Sequence, residues 1–258
     1  MIARTALISI AISCLPLVLA CQAGGGNFAD DDDSNGGSGS ASSGGAGGGL
    51  GFDGNTGGNT GGSSGNQDCG NADYTGGTLA IPDILNVDYE TSVTITGFGD
   101  GATLDDVTKF LGVCVKMEHS WIRDLQIELE TPDGTVIILN EFLGRDGGEV
   151  YLGEPDDSDD QNPNPGVGYD YCWTPTASNP PMLDYCNANF GSSGMGDTLP
   201  SGAYQASSGF DAMVGTQLNG TWTLRCIDDW AIDNGYIFYW NMHFDSSLIP
   251  DCEEWVVR

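Results

Sequence analysis

The chain contains very few basic residues. Lys and Arg total 7 against 37 Asp and Glu, which gives a formal net charge of −30 at pH 7. A surface that binds nucleic acid needs clustered basic side chains to displace the counterions of the phosphate backbone. The composition therefore excludes nucleic acid as a partner. It leaves divalent cations, basic proteins or simple solubility as reasons for the charge.

The chain also lacks the motifs of a hydrolytic active site. Its only two histidines are His119 and His243, and it contains no His-Glu-x-x-His motif and no Gly-Thr-Ser nucleophile segment. A serine hydrolase needs a nucleophile, a base and an orienting acid that act together. We therefore expect a non-catalytic protein. Because Cys-x-x-Cys is absent as well, the cysteine spacing does not indicate a zinc site.

After residue 70 the sequence lacks a sustained helical period. Leu and Ile alternate with Gln and Glu over 125–130, and a Pro-Asp-Gly turn ending at Gly134 leads to an apolar return segment. Alternation over 235–244 predicts that Ile237 and Trp240 face opposite sides of a strand. Short alternating segments separated by Gly and Pro are typical of an all-β sandwich.

The N-terminal sequence predicts an export signal. The apolar run over 6–20 is shorter than the ~20 residues that span a bilayer. Val, Leu and Ala directly before Cys21 resemble a bacterial lipobox, so 1–21 is predicted to be a lipoprotein signal peptide with Cys21 lipidated. An ordinary secretory signal is the alternative. Lipidation would anchor the protein in the bacterial cell envelope, and Gln22 after the cysteine favours the outer membrane.

A Gly-rich segment separates the signal from the rest of the chain. Residues 22–67 consist mainly of Gly, Ser, Asn, Thr and Asp, with few side chains that could bury apolar area. Such a composition predicts a disordered tether with a root-mean-square span of roughly 35–40 Å. The folded domain is then expected over 68–258, which is long enough for one sandwich with its own core.

Six cysteines remain when Cys14 of the signal and Cys21 are set aside. An even number in an exported chain predicts disulfides. We predict that Cys172 pairs with Cys186, since they flank one Pro-rich loop. Of the other four, we expect Cys69 to pair with Cys252 at the ends of the domain, which leaves Cys114 with Cys226.

Two distant segments carry a family resemblance. The first contains His119, Trp121 and Asp124 and ends in the turn at Gly134. The second contains Gly-Thr-Trp, an Asp, Asp-Asn-Gly and a late Trp, at Gly220, Trp222, Asp228, Asp233, Gly235 and Trp240. Together they resemble the P domain (Homo B) that follows the catalytic domain of subtilisin-like proprotein convertases. The similar stretch covers roughly residues 78–245, and its two ends match best.

The resemblance implies a jelly-roll-like sandwich in which His119, Trp121, Gly134, Trp222 and Trp240 are structural. In convertases this domain packs on the protease, whereas no protease domain accompanies it here. The resemblance thus predicts a non-catalytic lipoprotein module that binds a partner, such as a separate envelope or secreted protease. Two alternatives stay open. The chain could belong to a lineage of serine-type endopeptidases involved in proteolysis, or it could be a glycan-binding jelly roll.

Clustered carboxylates suggest calcium as a cofactor. Asp228 and Asp233 match the family pattern, Asp124 adjoins it, and Ca²⁺ takes its ligands from such oxygens. The alternative for these residues is turn and capping chemistry with local backbone amides. A second acidic group, between Asp156 and Asp160, lies in a Gly/Pro-rich insertion and is more simply read as a solvated loop.

Lipidation of Cys21 can be tested directly. Mass spectrometry of the mature protein should find an N-terminus that begins at a diacylated or triacylated Cys21, because the lipobox directs cleavage before that residue. A Cys21→Ser variant is the matched control and should lose the modification. An unmodified Cys21 in the wild-type protein, or cleavage at another site, would contradict the prediction.

Overall fold

The computed structural model describes residues 70–83, 87–144, 146–156, 163–191 and 195–249. All of these lie in the second of the two units into which the chain divides, Gly49–Arg258. Cys21, the segment 22–67, Cys69 and Cys252 lie outside the described residues. No helix within the described ranges has the length and apolar character needed to cross a bilayer.

The described chain consists mainly of short strands. They are β1 (Asn71–Asp73), β2 (Leu79–Ala80), β3 (Tyr89–Ile95), β4 (Phe110–His119), β5 (Leu125–Glu130), β6 (Val136–Asn140), β7 (Glu149–Leu152), β8 (Glu154–Asp156), β9 (Asn164–Val167), β10 (Tyr169–Trp173), β11 (Met195–Leu199), β12 (Gly202–Tyr204), β13 (Gly220–Asp228) and β14 (Gly235–Phe244). One α-helix, α1 (Met182–Asn189), lies between β10 and β11.

The strands form two principal sheets. The larger sheet has the order β1-β14-β4-β10-β12, with β2 added to β14, β7 to β4 and β11 to β7. The smaller sheet has the order β3-β13-β5-β6 and is antiparallel throughout. β8 and β9 form a separate hairpin. Buried side chains from both principal sheets share one apolar core. This architecture confirms the predicted all-β sandwich.

Aromatic side chains fill the centre of the core. Trp222 from the smaller sheet and Trp240 from the larger sheet are both fully buried. Each indole N–H has a partner, since Trp240 Nε1 donates to Thr91 Oγ1 at 2.9 Å and Trp222 Nε1 donates to the Leu218 carbonyl at 3.1 Å. Satisfying these groups allows large aromatic residues to be buried without an unpaired donor. Thr91 lies on β3, so the Trp240 bond also links the two sheets.

A β-bulge changes the pattern expected for β14. Ile237 pairs with Met117 and Tyr239 pairs with Lys116, so Phe238 is an extra residue without a partner on β4. The extra residue shifts the alternation by one position. Ile237 and Trp240 therefore both face the core, and the prediction of opposite faces is wrong.

The helix α1 was not expected from the sequence. It spans two turns, begins after Pro181 and buries Met182, Leu183 and Cys186. An eight-residue segment is too short to show a clear 3.6-residue period. Its helical form depends on packing against the sheet rather than on its own propensity.

The cysteine pairing differs from the prediction. Cys114 of β4 forms a disulfide with Cys172 of β10, while Cys186 and Cys226 are buried free thiols. The predicted pairs Cys172–Cys186 and Cys114–Cys226 are therefore wrong. Cys114 and Cys172 lie directly opposite each other in neighbouring strands, whereas Cys226 points into the core from the smaller sheet. Strand register, which distance along the sequence does not reveal, decides the pair.

Non-reducing peptide mapping should recover a Cys114–Cys172 cross-link and unmodified Cys186 and Cys226. The two free thiols should resist alkylation in the native protein and react after denaturation, because burial raises the pKa of the Cys186 thiol to about 11 and raises that of Cys226 well above its ordinary value. Cys172→Ser should lower the free energy of unfolding by about 2–4 kcal/mol. A Cys172–Cys186 cross-link would contradict this arrangement.

Candidate interaction site at one end of the sandwich

The two motif segments meet where β4 and β13 end. His119 is the last residue of β4 in the larger sheet, and Asp228 is the last residue of β13 in the smaller sheet. Their side chains lie 3.3 Å apart, from Nε2 to Oδ2, and both are completely buried. This contact joins the two sheets at one end of the sandwich.

The hydrogen bonds of His119 fix its tautomer. The backbone N–H of Trp121 donates to Nδ1 at 3.0 Å, so this ring nitrogen carries no proton. The proton is therefore assigned to Nε2, which donates to Asp228. Both ring nitrogens are engaged by protein groups, and in this arrangement neither is available to take a proton from a nucleophile. His119 acts as a structural link between the sheets.

The residues that follow His119 hold the start of β14. The Ser120 N–H donates to the Asn234 carbonyl at 3.0 Å, and the Asn234 N–H donates back to Ser120 Oγ at 3.0 Å. Ser120 Oγ also lies 3.4 Å from Asp233 Oδ1, to which it donates. A side chain at Gly235 would collide with the Glu118 carbonyl and the His119 ring. The Asp-Asn-Gly motif is thus explained by the close approach of two chain segments.

The connection between β13 and β14, residues 229–234, is called the corner loop here. Trp230 and Ile232 are 50% and 65% exposed, large values for such apolar side chains. Ile232 has a φ of +104°, and it is the one non-glycine residue in the described part of the chain with a positive φ. A β-branched residue in this region is strained, and such strain persists only where neighbouring contacts enforce it.

Three hydrogen bonds enforce the shape of the corner loop. Asp228 Oδ1 accepts from the Trp230 N–H at 3.1 Å, and Asp83 Oδ2 accepts from the Ile232 N–H at 3.0 Å. The Asp229 N–H donates to the Asp124 carbonyl at 2.9 Å. These bonds fix the corner loop to the end of β13, to Asp124 and to the segment before β3. The side chains of Trp230 and Ile232 are exposed on the loop that they fix.

Carboxylates crowd around the corner loop. Burial raises the pKa of the Asp83 carboxyl, and the charges of Asp228 and Asp233 raise it further, against the hydrogen bond from Ile232. Burial likewise raises the pKa of Asp229, with added repulsion from Asp228 and Asp88. An acid with a raised pKa in the folded state opposes folding once it ionises, so its cost appears as pH rises above the ordinary Asp range. A cation at this surface would offset that cost.

The predicted calcium ligands are placed as follows. Asp228 and Asp233 take part in the hydrogen bonds above, and Asp124 is buried in a 3₁₀ turn, Ile122–Asp124, that leads into β5. Within the described ranges, no three His, Cys, Asp or Glu side chains form a group that could hold a metal ion. Of the second acidic group only Asp156 is described. Sequence reasoning missed Asp83, because its role depends on a distant segment returning beside the loop.

The remaining motif residues form a second junction at the opposite end of the sandwich. Gly134 has a φ of +83° in the turn between β5 and β6, as the Pro-Asp-Gly pattern predicts. A side chain at Gly220 would lie 2.7 Å from Pro132 Cβ, so this glycine allows the turn to pack against the start of β13. Thr216 Oγ1 donates to Asp133 Oδ1 at 2.6 Å and completes the junction.

Comparisons with known proteins give weak matches. No family model matches the chain. No curated protein sequence matches it significantly. Among solved structures, the serine protease of Aeromonas sobria in complex with a chaperone aligns with a TM-score of 0.23 and 14% identity, over 65% of this chain and 27% of that chain. The same protease alone aligns with a TM-score of 0.21 and 15% identity, again over 65% and 27%. The chain thus spans about a quarter of the protease's length.

Replacing Ile232 tests the backbone strain. Ile232→Gly should be more stable to unfolding than Ile232→Ala by about 1 kcal/mol, because glycine adopts a positive φ without a Cβ clash. The exposed side chain is lost in both variants, so the comparison isolates the backbone. Chemical denaturation measures the difference. Equal stability, or a more stable Ala variant, would show that the φ of +104° carries no strain.

Proposed function

We propose that this protein is a non-catalytic interaction module whose corner loop binds another protein. The observation that carries the proposal is the exposed pair Trp230 and Ile232 on a loop that hydrogen bonds to Asp228 and Asp83 hold in a strained conformation. Strained backbone tends to concentrate at functional sites. Tryptophan is enriched among the few interface residues that dominate binding energy.

The rigidity of the corner loop favours binding. An apolar side chain that must be ordered on association loses part of its binding energy as conformational entropy. Here the N–H groups of Trp230 and Ile232 donate to Asp228 and Asp83, which already fixes the backbone on both sides of Ala231. A partner surface with an apolar pocket and a basic rim would receive the two side chains and neutralise the surrounding carboxylates.

A separate protease in the cell envelope is the partner that we propose. The support is the motif resemblance, since part of the segments that resemble the convertase P domain, from His119 to Asp124 and from Asp228 to Gly235, builds this end of the sandwich. Both ring nitrogens of His119 are hydrogen-bonded to other protein groups, and this favours a structural role for His119 over a catalytic one. The predicted lipid anchor at Cys21 and the tether over 22–67 would present the module at the membrane surface.

The binding proposal predicts a specific loss on mutation. Residues 68–258 should capture a protease from envelope extract, and Trp230→Ala should weaken binding of the purified partner about 30-fold, the scale of a hot-spot residue. Val136→Ala is the matched control, because Val136 is also an exposed apolar residue but lies beside the opposite junction. Equal effects of the two substitutions, or a captured partner that is not a protease, would reject the proposal.

A second proposal is that Ca²⁺ binds beside the corner loop through Asp228 and Asp233. The raised pKa values of Asp83 and Asp229 favour it, because they report unneutralised negative charge at this surface. Ion binding to the folded state alone adds about 2.7 kcal/mol when calcium is a hundredfold above its dissociation constant. The unfolding midpoint should therefore be higher in calcium than in chelator, and Asp233→Asn should abolish the difference. Equal midpoints for the wild-type protein would reject this site.

A further inference from the structure

The bulge in β14 changes which side chains lie on the outer face of the larger sheet. Ile237 and Trp240 on either side of it are both buried in the core. The two residues between them, Phe238 and Tyr239, therefore both lie on the outer side. A regular strand would place only one of them there, because its side chains alternate. β-Bulges often re-aim side chains in this way beside functional sites.

The ring of Phe238 lies against a glycine. A Cβ added at Gly168 would come within 2.4 Å of Phe238 Cδ2 and 3.1 Å of Lys116 Cγ, so the ring and the lysine stem meet at this residue. Lys116 is on the outer face, since its neighbours Val115 and Met117 are fully buried in the core. The glycine thus lets the Phe238 ring rest on the outer surface of the sheet, where another side chain would displace it.

The side chain of Tyr239 extends across the sheet. β4 lies between β14, which carries Tyr239, and β10, which carries Asp170, so roughly 10 Å separate the two backbones. The Tyr239 hydroxyl nevertheless donates to Asp170 Oδ1 at 2.9 Å. The side chain must therefore run along the sheet and pass over β4. It is 39% exposed, so an aromatic surface is accessible at this place.

Charged groups of both signs border the two rings. Lys116 Nζ lies 6.0 Å from the centroid of the Tyr239 ring and is a hydrogen-bond donor, and the Asp170 carboxylate is an acceptor. Burial, the hydrogen bond to Asp170 and the charges of Asp170 and Asp73 raise the pKa of Tyr239 to about 12. Its hydroxyl is therefore protonated at neutral pH. Donors and acceptors thus stand beside an aromatic surface.

This combination matches the chemistry of a neutral sugar. The electron-rich face of an aromatic ring attracts the C–H groups on one side of a sugar ring, and sugar hydroxyls both donate and accept hydrogen bonds. The centre of a protein–protein interface, in contrast, is depleted of Lys and Asp. The net charge of −30 repels anionic glycans. Ring exposure, mixed polar groups and overall charge together favour an uncharged oligosaccharide.

We propose that the outer face of the larger sheet binds a neutral oligosaccharide. The sugar stacks on Phe238 and Tyr239 and forms hydrogen bonds with Lys116 and Asp170. This assigns a position to the glycan-binding alternative that the sequence left open. The site uses no residue of the corner loop, so it is independent of the protein-binding function proposed above.

A glycan array tests the proposal with the full chain. The protein should bind neutral hexose or N-acetylhexosamine oligosaccharides on an array that also carries sulfated and uronic-acid glycans. Tyr239→Ala should weaken binding of the bound neutral glycan by about tenfold or more, whereas Tyr239→Phe, which keeps the ring, should stay within about threefold. Leu111→Ala is the matched control and should bind like the wild type, because Leu111 is 47% exposed on β4 but lies five residues before Lys116.

NMR of the wild-type chain with labelled tyrosine gives a measurement that does not depend on the folding of Tyr239→Ala. The Tyr239 ring signal is the one missing from Tyr239→Phe, and it should shift on titration with the bound glycan. Binding of anionic glycans alone, or of no glycan, would overturn the proposal. So would an unshifted Tyr239 signal with equal binding by Tyr239→Ala. Loss of protein-partner binding in Tyr239→Ala, without glycan binding by the wild type, would assign this face to a protein instead.

Discussion

The buried contact between His119 and Asp228 closes one end of the sandwich. It ties the end of β4 to the end of β13, and these are central strands of the two opposing sheets. Removing one partner would leave the other polar group without its hydrogen bond in a dry environment, which typically costs about 1–3 kcal/mol and more for a charged group. The backbone N–H of Trp121 donates to the same imidazole, and the N–H of Trp230 in the corner loop donates to the same carboxylate.

The same link connects stability to the proposed function. Asp228 uses one carboxylate oxygen for His119 and the other for the Trp230 amide, so the group that joins the sheets also shapes the exposed loop. The strain at Ile232 and the repulsion among the nearby carboxylates are costs of this arrangement. The well-packed core, in which the indole N–H groups of Trp222 and Trp240 are hydrogen-bonded, offsets these costs, and a cationic partner surface would reduce the repulsion.

Among the described residues, the two edges of the smaller sheet are protected unequally. The β6 edge is covered by a loop within the domain, whereas the β3 edge faces a groove lined by Gly70 and Ile249. Both the corner loop and the groove are surfaces where the fold leaves apolar area exposed, and they lie on different elements.

The sequence by itself determined those features that depend on neighbouring residues. Alternation over 125–130 placed Leu125, Ile127 and Leu129 in the core, and the Pro-Asp-Gly turn at Gly134 has the expected positive φ. It could not reveal the bulge at Phe238 or the partner of Cys172, because a shift of one residue in strand register reverses which side chains meet. Only the tertiary structure brought Asp83 beside Ile232 and joined His119 to Asp228, since these contacts bridge segments separated by more than a hundred residues. Local steric preferences act along the chain, whereas register and the pairing of the sheets are decided by packing of the whole core.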